Sequence, residues 1–91
     1  MSAAAYAKAA AFAALHRQPR LFVVANAWDA GSACVLAALG FEALATSSGA
    51  GAAVLGRRDG ALSRAEALAQ ARAIAAATAL PVTADLEDGY G

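Results

Sequence analysis

Three short apolar runs alternate along the chain with segments that are long enough to be helices. The runs are residues 21–25, 41–46 and 81–87. Each is too short for a helix and is typical of a strand buried in a parallel sheet. Helix-length connections between consecutive strands form right-handed crossovers, so neighbouring strands run parallel. The pattern therefore predicts an α/β fold.

Local signals place the helices between these runs. Asp29 favours a helix N-terminus, and Gly40 suits the position just after a helix end. Ser63 and Glu66 match the S-x-x-E capping box. Residues 47–51 are expected to form a loop. The predicted helices cover residues 2–16, 29–39, 52–55 and 63–78.

Composition excludes several functional classes. Seven Lys and Arg balance seven Asp and Glu, which argues against a protein that binds nucleic acid through phosphate contacts. No apolar run approaches the length of a membrane span. The single cysteine, Cys34, excludes an internal disulfide and a multi-cysteine zinc site, and it fits a cytoplasmic protein. Because 31 of the 91 residues are alanine, any core is thin for the chain's length.

Three parallel strands leave two sheet edges without a partner. We therefore expect residues 1–91 to be the N-terminal portion of a larger barrel or doubly wound domain. On this expectation the chain alone is not a stable, active monomer.

Polar residues follow each predicted strand at its carboxyl end, where parallel α/β folds place their sites. After the three strands come, in order, Asn26, Trp28 and Asp29; Ser47, Ser48, Gly49 and Asp59; and Asp85, Glu87 and Asp88. The amino ends of the strands carry no comparable cluster. This asymmetry predicts a site at the carboxyl edge of the sheet.

Asp85 and Glu87 are two residues apart, so on a strand both side chains point the same way, with Cα atoms about 6.5–7 Å apart. Two converging carboxylates repel each other unless a cation lies between them. Mg²⁺ or Mn²⁺ would suit, because hard cations prefer oxygen ligands. The alternative is that the strand has already ended and both acids are solvated loop residues.

Residues 47–51, with the sequence SSGAG, offer hydroxyls and unhindered backbone N–H groups that can hold a carboxylate or a phosphate. A plain Gly/Ser loop is the alternative. Asp59 is a candidate nucleophile, base or metal-site residue, or simply a turn residue. Structural roles are expected for His16, for Cys34 as a buried filler and for Trp28 as a packing anchor.

Four blocks of the chain resemble the isocitrate lyase/phosphoenolpyruvate mutase superfamily. They are residues 26–33 (NAWDAGSA), 40–48 (GFEALATSS), 55–60 (LGRRDG) and 80–91 (LPVTADLEDGYG). The last block, in which D-x-[DE]-x-G-Y-G follows Leu-Pro-Val, is the most specific. The resemblance implies a (β/α)8 barrel of which this chain covers an N-terminal helix and the first three strands. It also implies a homo-oligomer, a tetramer in the family.

The resemblance also implies roles for individual residues. Asp85 matches the aspartate that binds Mg²⁺ directly, and Glu87 matches an acid that reaches the metal through water. Asp59 matches an acid that serves as a nucleophile or lies near the metal. The segment that binds the substrate carboxylate corresponds to Ser47, Ser48, Gly49 and Ala50, and either serine can be the binding one.

Three departures from the family pattern stand beside these matches. The acid at Glu87 is usually aspartate, and the residue at Asp88 is usually Thr or Ser. Mutases often have a tryptophan before the substrate serine, where this chain has Ala45 and Thr46. That difference weakens a mutase interpretation.

The resulting expectation is a Mg²⁺-dependent (or Mn²⁺-dependent) carbon–carbon lyase. It would act on a small 2-hydroxy or 2-oxo carboxylic acid through an enolate. The alternatives are a phosphonate mutase or hydrolase of the same superfamily, and a truncated product without activity.

Overall fold

The computed structural model describes residues 2–90, which form a three-stranded sheet and four helices. In chain order the elements are α1 (Ala3–Arg17), β1 (Val24–Ala27), α2 (Ala30–Ala38), β2 (Ala43–Thr46), α3 (Ser48–Val54), α4 (Arg64–Ala77) and β3 (Val82–Thr83). The alternation of strands and helices expected from the apolar runs is confirmed.

All the strand pairs described are parallel, in the order β1-β2-β3. Val24 pairs with Ala43, and Leu44 pairs with Val82. Helix α2 contacts β1, helix α4 contacts β2, and the two helices contact each other. Both helices therefore cover the same face of the sheet. The α/β class with parallel strands is therefore confirmed, in an open sheet compatible with part of a barrel.

The core between the sheet and these helices is small. Its buried members are Ala27, Ala33, Leu44 and Ile74. Leu44 and Ile74 are its only large side chains with less than 2 % exposure, counted over residues 2–90. A second cluster, under α3, joins Ala52, Leu62 and Ala67 with the partly buried Leu86 and Tyr90. The thin core expected from the alanine content is present.

The first predicted strand, residues 21–25, was placed too early. β1 begins at Val24, where pairing with Ala43 starts, and it includes Asn26, which was expected to end it. Leu21 is 96 % exposed, because no strand lies beside it in the described part of the chain. The second run is also shorter than residues 41–46, since β2 begins at Ala43.

The third predicted strand, residues 81–87, was too long: β3 spans only Val82–Thr83. Beyond it, the backbone N–H of Asp85 donates to the Thr46 hydroxyl, at 2.9 Å. A side chain thus takes the place of a ladder hydrogen bond, and the chain leaves the sheet there. The strand-based argument that Asp85 and Glu87 point the same way is therefore wrong.

The predicted loop 47–51 is mostly helix. Ser47 is the N-cap of α3, and its hydroxyl accepts from the N–H of Ala50 at 3.2 Å. A serine cap offsets the poor helix propensity of the two glycines that follow. The helix therefore begins at Ser48, four residues before the predicted turn.

The other helix signals are confirmed. Asp29 caps α2 in a reciprocal box with Ser32, and Ser63 caps α4 with Glu66. Gly40 has a φ of 98°, as a residue after a helix end requires.

α1 contains no buried residue, and one amine connects it to the far end of α4. The Lys8 ammonium donates to the carbonyl oxygens of Ala75 and Thr78, at 2.6 and 2.8 Å. These carbonyls lie at a helix C-terminus and accept no bond within the helix. Over residues 2–90, no helix is long and apolar enough to cross a membrane.

Two structural expectations for single residues were wrong. Cys34 is exposed rather than buried, although its Sγ lies 3.7 Å from the carbonyl oxygen of Ala77 in α4. Trp28 is 59 % exposed and does not act as a packing anchor. The structural role expected for His16 agrees with its ring, which packs edge-on against Phe12 and Phe22.

Candidate active site

Asp85 and Ser48 meet at the carboxyl edge of the sheet. One carboxylate oxygen of Asp85, Oδ2, accepts from the Ser48 backbone N–H at 3.1 Å and from the Ser48 hydroxyl at 2.8 Å. Ser48 begins α3 two residues after the end of β2, and Asp85 lies two residues after the end of β3. The prediction that both residues lie at the same edge is confirmed.

The Asp85 carboxylate is held in its ionised form. The Ser48 N–H is the main cause that lowers its pKa, followed by the Glu87 N–H, which donates to Oδ1 at 3.1 Å, and by the Ser48 hydroxyl. Hydrogen bonds to a carboxylate stabilise the charged form. Asp85 is thus charged over the neutral pH range and available to a cation.

The two serines make different hydrogen bonds. The Ser47 hydroxyl caps α3, whereas the buried Ser48 hydroxyl contacts Asp85. Gly49 and Ala50 follow in the first turn of the helix. The structure therefore separates a capping serine from a serine that faces the acidic side of the site.

Asp59 lies beside the first turn of α3. A Cβ built on Gly49 would be 3.4 Å from the Asp59 Cγ and 3.5 Å from both carboxylate oxygens. Gly56 and Gly60, with φ of 72° and 88°, form the turns on either side of Asp59. The folded chain thus brings Asp59 next to the Ser48–Gly49 segment, from ten residues away in sequence.

Glu87 stands in an unusual backbone conformation. Its φ is 50°, in the left-handed region that side chains other than those of Asn, Asp and Gly seldom adopt. Asp88 accepts a hydrogen bond from the Tyr90 N–H at 2.9 Å and so stabilises the turn. Backbone strain of this kind is concentrated at functional sites in proteins.

Two of the polar residues expected to follow the first strand, Asn26 and Asp29, lie in or next to regular elements. Asp29 is the helix cap described above, and the Ser32 N–H is the main cause that lowers its pKa. Asn26 is exposed in β1 and pairs with Ala45 through the backbone.

Gln70 was missed by the sequence analysis. Its side-chain amide donates to the carbonyl oxygen of Ser47 at 3.1 Å and to that of Trp28 at 3.4 Å. The only available signal was weak: Gln70 is the one uncharged polar residue in α4. Nothing in a mid-helix glutamine indicates that it reaches two loops.

The donor chemistry near Asp85 fits a divalent cation. A carboxylate offers about four lone-pair positions. Oδ2 uses two of them on Ser48 and Oδ1 uses one on Glu87, which leaves one position on Oδ1 for a metal ligand bond. Among residues 2–90, no three His, Cys, Asp or Glu side chains are grouped as a complete metal site. Mg²⁺ needs only one or two carboxylates, with water and substrate completing its shell.

Among known proteins, the chain matches one family profile and several solved structures. The sequence profile of phosphoenolpyruvate phosphomutases matches residues 12–91. A search of curated proteins found no match.

Three solved structures illustrate the similarity. A lyase/mutase structure from Burkholderia cenocepacia J2315 is 46 % identical over 97 % of this chain, with a TM-score of 0.93. A phosphonomutase structure from the same organism is 45 % identical over 96 %, with a TM-score of 0.86. A 2,3-dimethylmalate lyase, described as a PEP mutase/isocitrate lyase superfamily member, is 32 % identical over 100 %, with a TM-score of 0.81. The chain spans 32–34 % of the length of these structures.

Proposed function

Because this chain belongs to the PEP mutase/isocitrate lyase superfamily, we propose that the protein carrying it is a Mg²⁺-dependent (or Mn²⁺-dependent) carbon–carbon lyase. Its substrate is a 2-hydroxy or 2-oxo (di)carboxylic acid, cleaved through an enolate. The observation that carries the proposal is the contact between Asp85 and Ser48, since it joins the acid proposed for the metal to the segment proposed for the substrate.

Asp85 and Glu87 are the residues proposed to hold the cation. Asp85 is ionised and has a free lone pair on Oδ1, and Glu87 lies two residues beyond it. A divalent cation there would stabilise the negative charge that develops on a substrate oxygen as the bond breaks. Stabilising charge that is absent from the ground state is what accelerates the reaction.

The chain's own polar groups would bind and orient the substrate. Ser48, Gly49 and Ala50 lie in the first turn of α3, and Ser47 holds that turn in place through its cap. Fixing a carboxylate here would align the bond to be broken with the acids beside it. Asp59, next to Gly49, would move a proton or hold a water molecule at the same substrate.

Phosphonate chemistry is the second candidate, because one similar structure is described as a phosphonomutase. The residues before the serines, Ala45 and Thr46, lack the tryptophan often found in mutases. This favours the lyase within the proposal.

We also propose the complete fold, the oligomeric state and the cellular location of the enzyme. The chain would supply the first three strands of a (β/α)8 barrel, in agreement with its span of about a third of the similar structures. We propose a cytoplasmic homo-oligomer that takes a small carboxylate.

An assay of the full-length protein that carries this chain tests the proposal. It would be incubated with branched 2-hydroxy dicarboxylates, 2-oxo acids and phosphonopyruvate, with Mg²⁺ or with EDTA, and followed by proton and phosphorus NMR. We expect cleavage of a carbon–carbon bond that EDTA abolishes and that Asp59→Asn reduces strongly. A change confined to the phosphorus spectrum would support the second candidate instead. Turnover unaffected by EDTA would refute the metal role.

A further inference from the structure

Gln70 joins the two chain segments that follow β1 and β2. Its Nε2 donates to the carbonyl oxygens of Ser47 and Trp28, at 3.1 and 3.4 Å. Carbonyl oxygens only accept hydrogen bonds, and an amide NH₂ group supplies two N–H donors, one for each of these oxygens. A half-buried side chain of α4 is thereby fixed at the carboxyl edge of the sheet.

Gly51 makes room for this amide. A Cβ built on Gly51 would lie 2.5 Å from Nε2 and 2.9 Å from Oε1 of Gln70. Gly51 is inside α3, where alanine would favour the helix by roughly 1 kcal/mol. Glycine at position 51 therefore makes the helix less stable than alanine would, and the Gln70 amide occupies the space that an alanine methyl group would take.

The hydrogen bond from Gln70 to the Ser47 carbonyl also affects Ser48. The Ser47 carbonyl and the Ser48 N–H belong to one planar peptide unit and point in opposite directions. The carbonyl accepts from Gln70 and from the Gly51 N–H at 2.9 Å, while the N–H donates to Asp85. Holding the oxygen fixes the direction of the N–H, and donors to the oxygen also strengthen that N–H as a donor.

We propose that Gln70 is a positioning residue for Asp85, acting through the Ser47–Ser48 peptide. Its two bonds hold that peptide at the angle at which Ser48 orients the Asp85 carboxylate. The inference rests on the proposed metal role of Asp85. Groups that orient a metal ligand typically change metal affinity by about tenfold or more when they are removed.

Mn²⁺ binding to the full-length protein without substrate, measured by calorimetry, tests the inference. Gln70→Met keeps the length of the side chain and removes its N–H donors, so we expect affinity to fall about tenfold. Leu68→Met, on the same helix, introduces the same residue without removing a polar group, and its affinity should equal that of the wild type. Equal affinity for wild type and Gln70→Met would overturn the inference.

Gly51→Ala separates positioning from stability. Alone it displaces the Gln70 amide while alanine favours the helix, so Mn²⁺ affinity should fall without a matching loss of stability. In Gln70→Ala/Gly51→Ala the methyl group has space, so the thermal midpoint should be at least that of Gln70→Ala while affinity stays about tenfold low.

A double variant that regains wild-type affinity would show a purely structural role and overturn the inference. A wild-type protein that binds no Mn²⁺ would instead refute the proposed metal site itself.

Discussion

The Asp85 carboxylate and the Ser48 hydroxyl are 2.8 Å apart, although 37 residues separate them in the chain. The contact is formed because β2 and β3 are parallel neighbours and both residues lie just beyond the carboxyl ends of these strands. One hydrogen bond therefore connects the two parts of the proposed site.

Removing the Asp85 side chain should abolish activity. In Asp85→Ala, Ser48 loses its acceptor and the cation loses the only lone pair that this carboxylate leaves free, so we expect no measurable turnover and no response to Mg²⁺. Glu42→Gln is a suitable control, because Glu42 pairs with Arg20 at the opposite end of the sheet. Steady-state kinetics in the full-length protein measure both. Normal turnover in Asp85→Ala would refute the proposed site.

The two serines should respond differently to alanine. Ser47→Ala removes a helix cap and should lower the free energy of unfolding by about 1 kcal/mol, whereas Ser47→Gly should cost only a few tenths. Ser48→Ala removes the hydroxyl that contacts Asp85 and should lower kcat/KM by about tenfold, the effect of losing one hydrogen bond to a charged group. Urea unfolding and kinetics separate these effects. If Ser47→Ala alone raised KM, the assignment of the serines would be reversed.

Replacing Glu87 should change stability and activity in opposite directions. A left-handed backbone costs a residue with a Cβ roughly 1–2 kcal/mol, so Glu87→Gly should raise the free energy of unfolding by about that amount. It should also reduce Mg²⁺-dependent turnover, since the carboxylate is lost. Glu87→Asp keeps the acid and adopts this backbone more readily, so its activity should be retained. Full turnover in Glu87→Gly would show that the acid has no role.

The α4 cap should weaken in acid. The Ser63 N–H is the main cause that lowers the pKa of Glu66, and a hydrogen bond from Arg57 is the next. A lowered pKa means that the folded state favours the charged carboxylate. The contribution of Glu66 to the stability of the folded state is therefore complete at pH values above the unfolded pKa, about 4.3 for glutamate. It is lost as the pH falls through the folded value. Urea unfolding of wild type and Glu66→Gln should therefore differ near neutral pH and converge in acid; a constant difference would contradict this.

The order of the elements was predictable because it depends on local patterns. Apolar runs of strand length and two capping sequences, at Asp29 and Ser63, act within a few residues. The convergence of Ser48 with Asp85 followed from one rule, that parallel strands carry their sites at their carboxyl ends.

The boundaries and the link through Gln70 were not predictable, because they depend on pairing across the sheet. β1 starts at Val24 because its backbone pairing with β2 starts there, opposite Ala43. β3 ends at Thr83 because the backbone N–H of Asp85 donates to the Thr46 hydroxyl instead of to a backbone carbonyl of β2. No local signal in α4 reveals that Gln70 faces Gly51 and two carbonyl oxygens.

The attachment of α1 through Lys8 has a practical consequence for chemical labelling. Acetylation of this amine would remove its charge and two of its three donors, so at least one of the two hydrogen bonds to the end of α4 would be lost. Because α1 buries no residue of its own, an amine-reactive dye or crosslinker at Lys8 would weaken the attachment of this fifteen-residue helix and leave mainly the ring contacts of Phe12 and His16 with Phe22. Labelling intended to mark the surface of this protein would then alter its fold at the N-terminus.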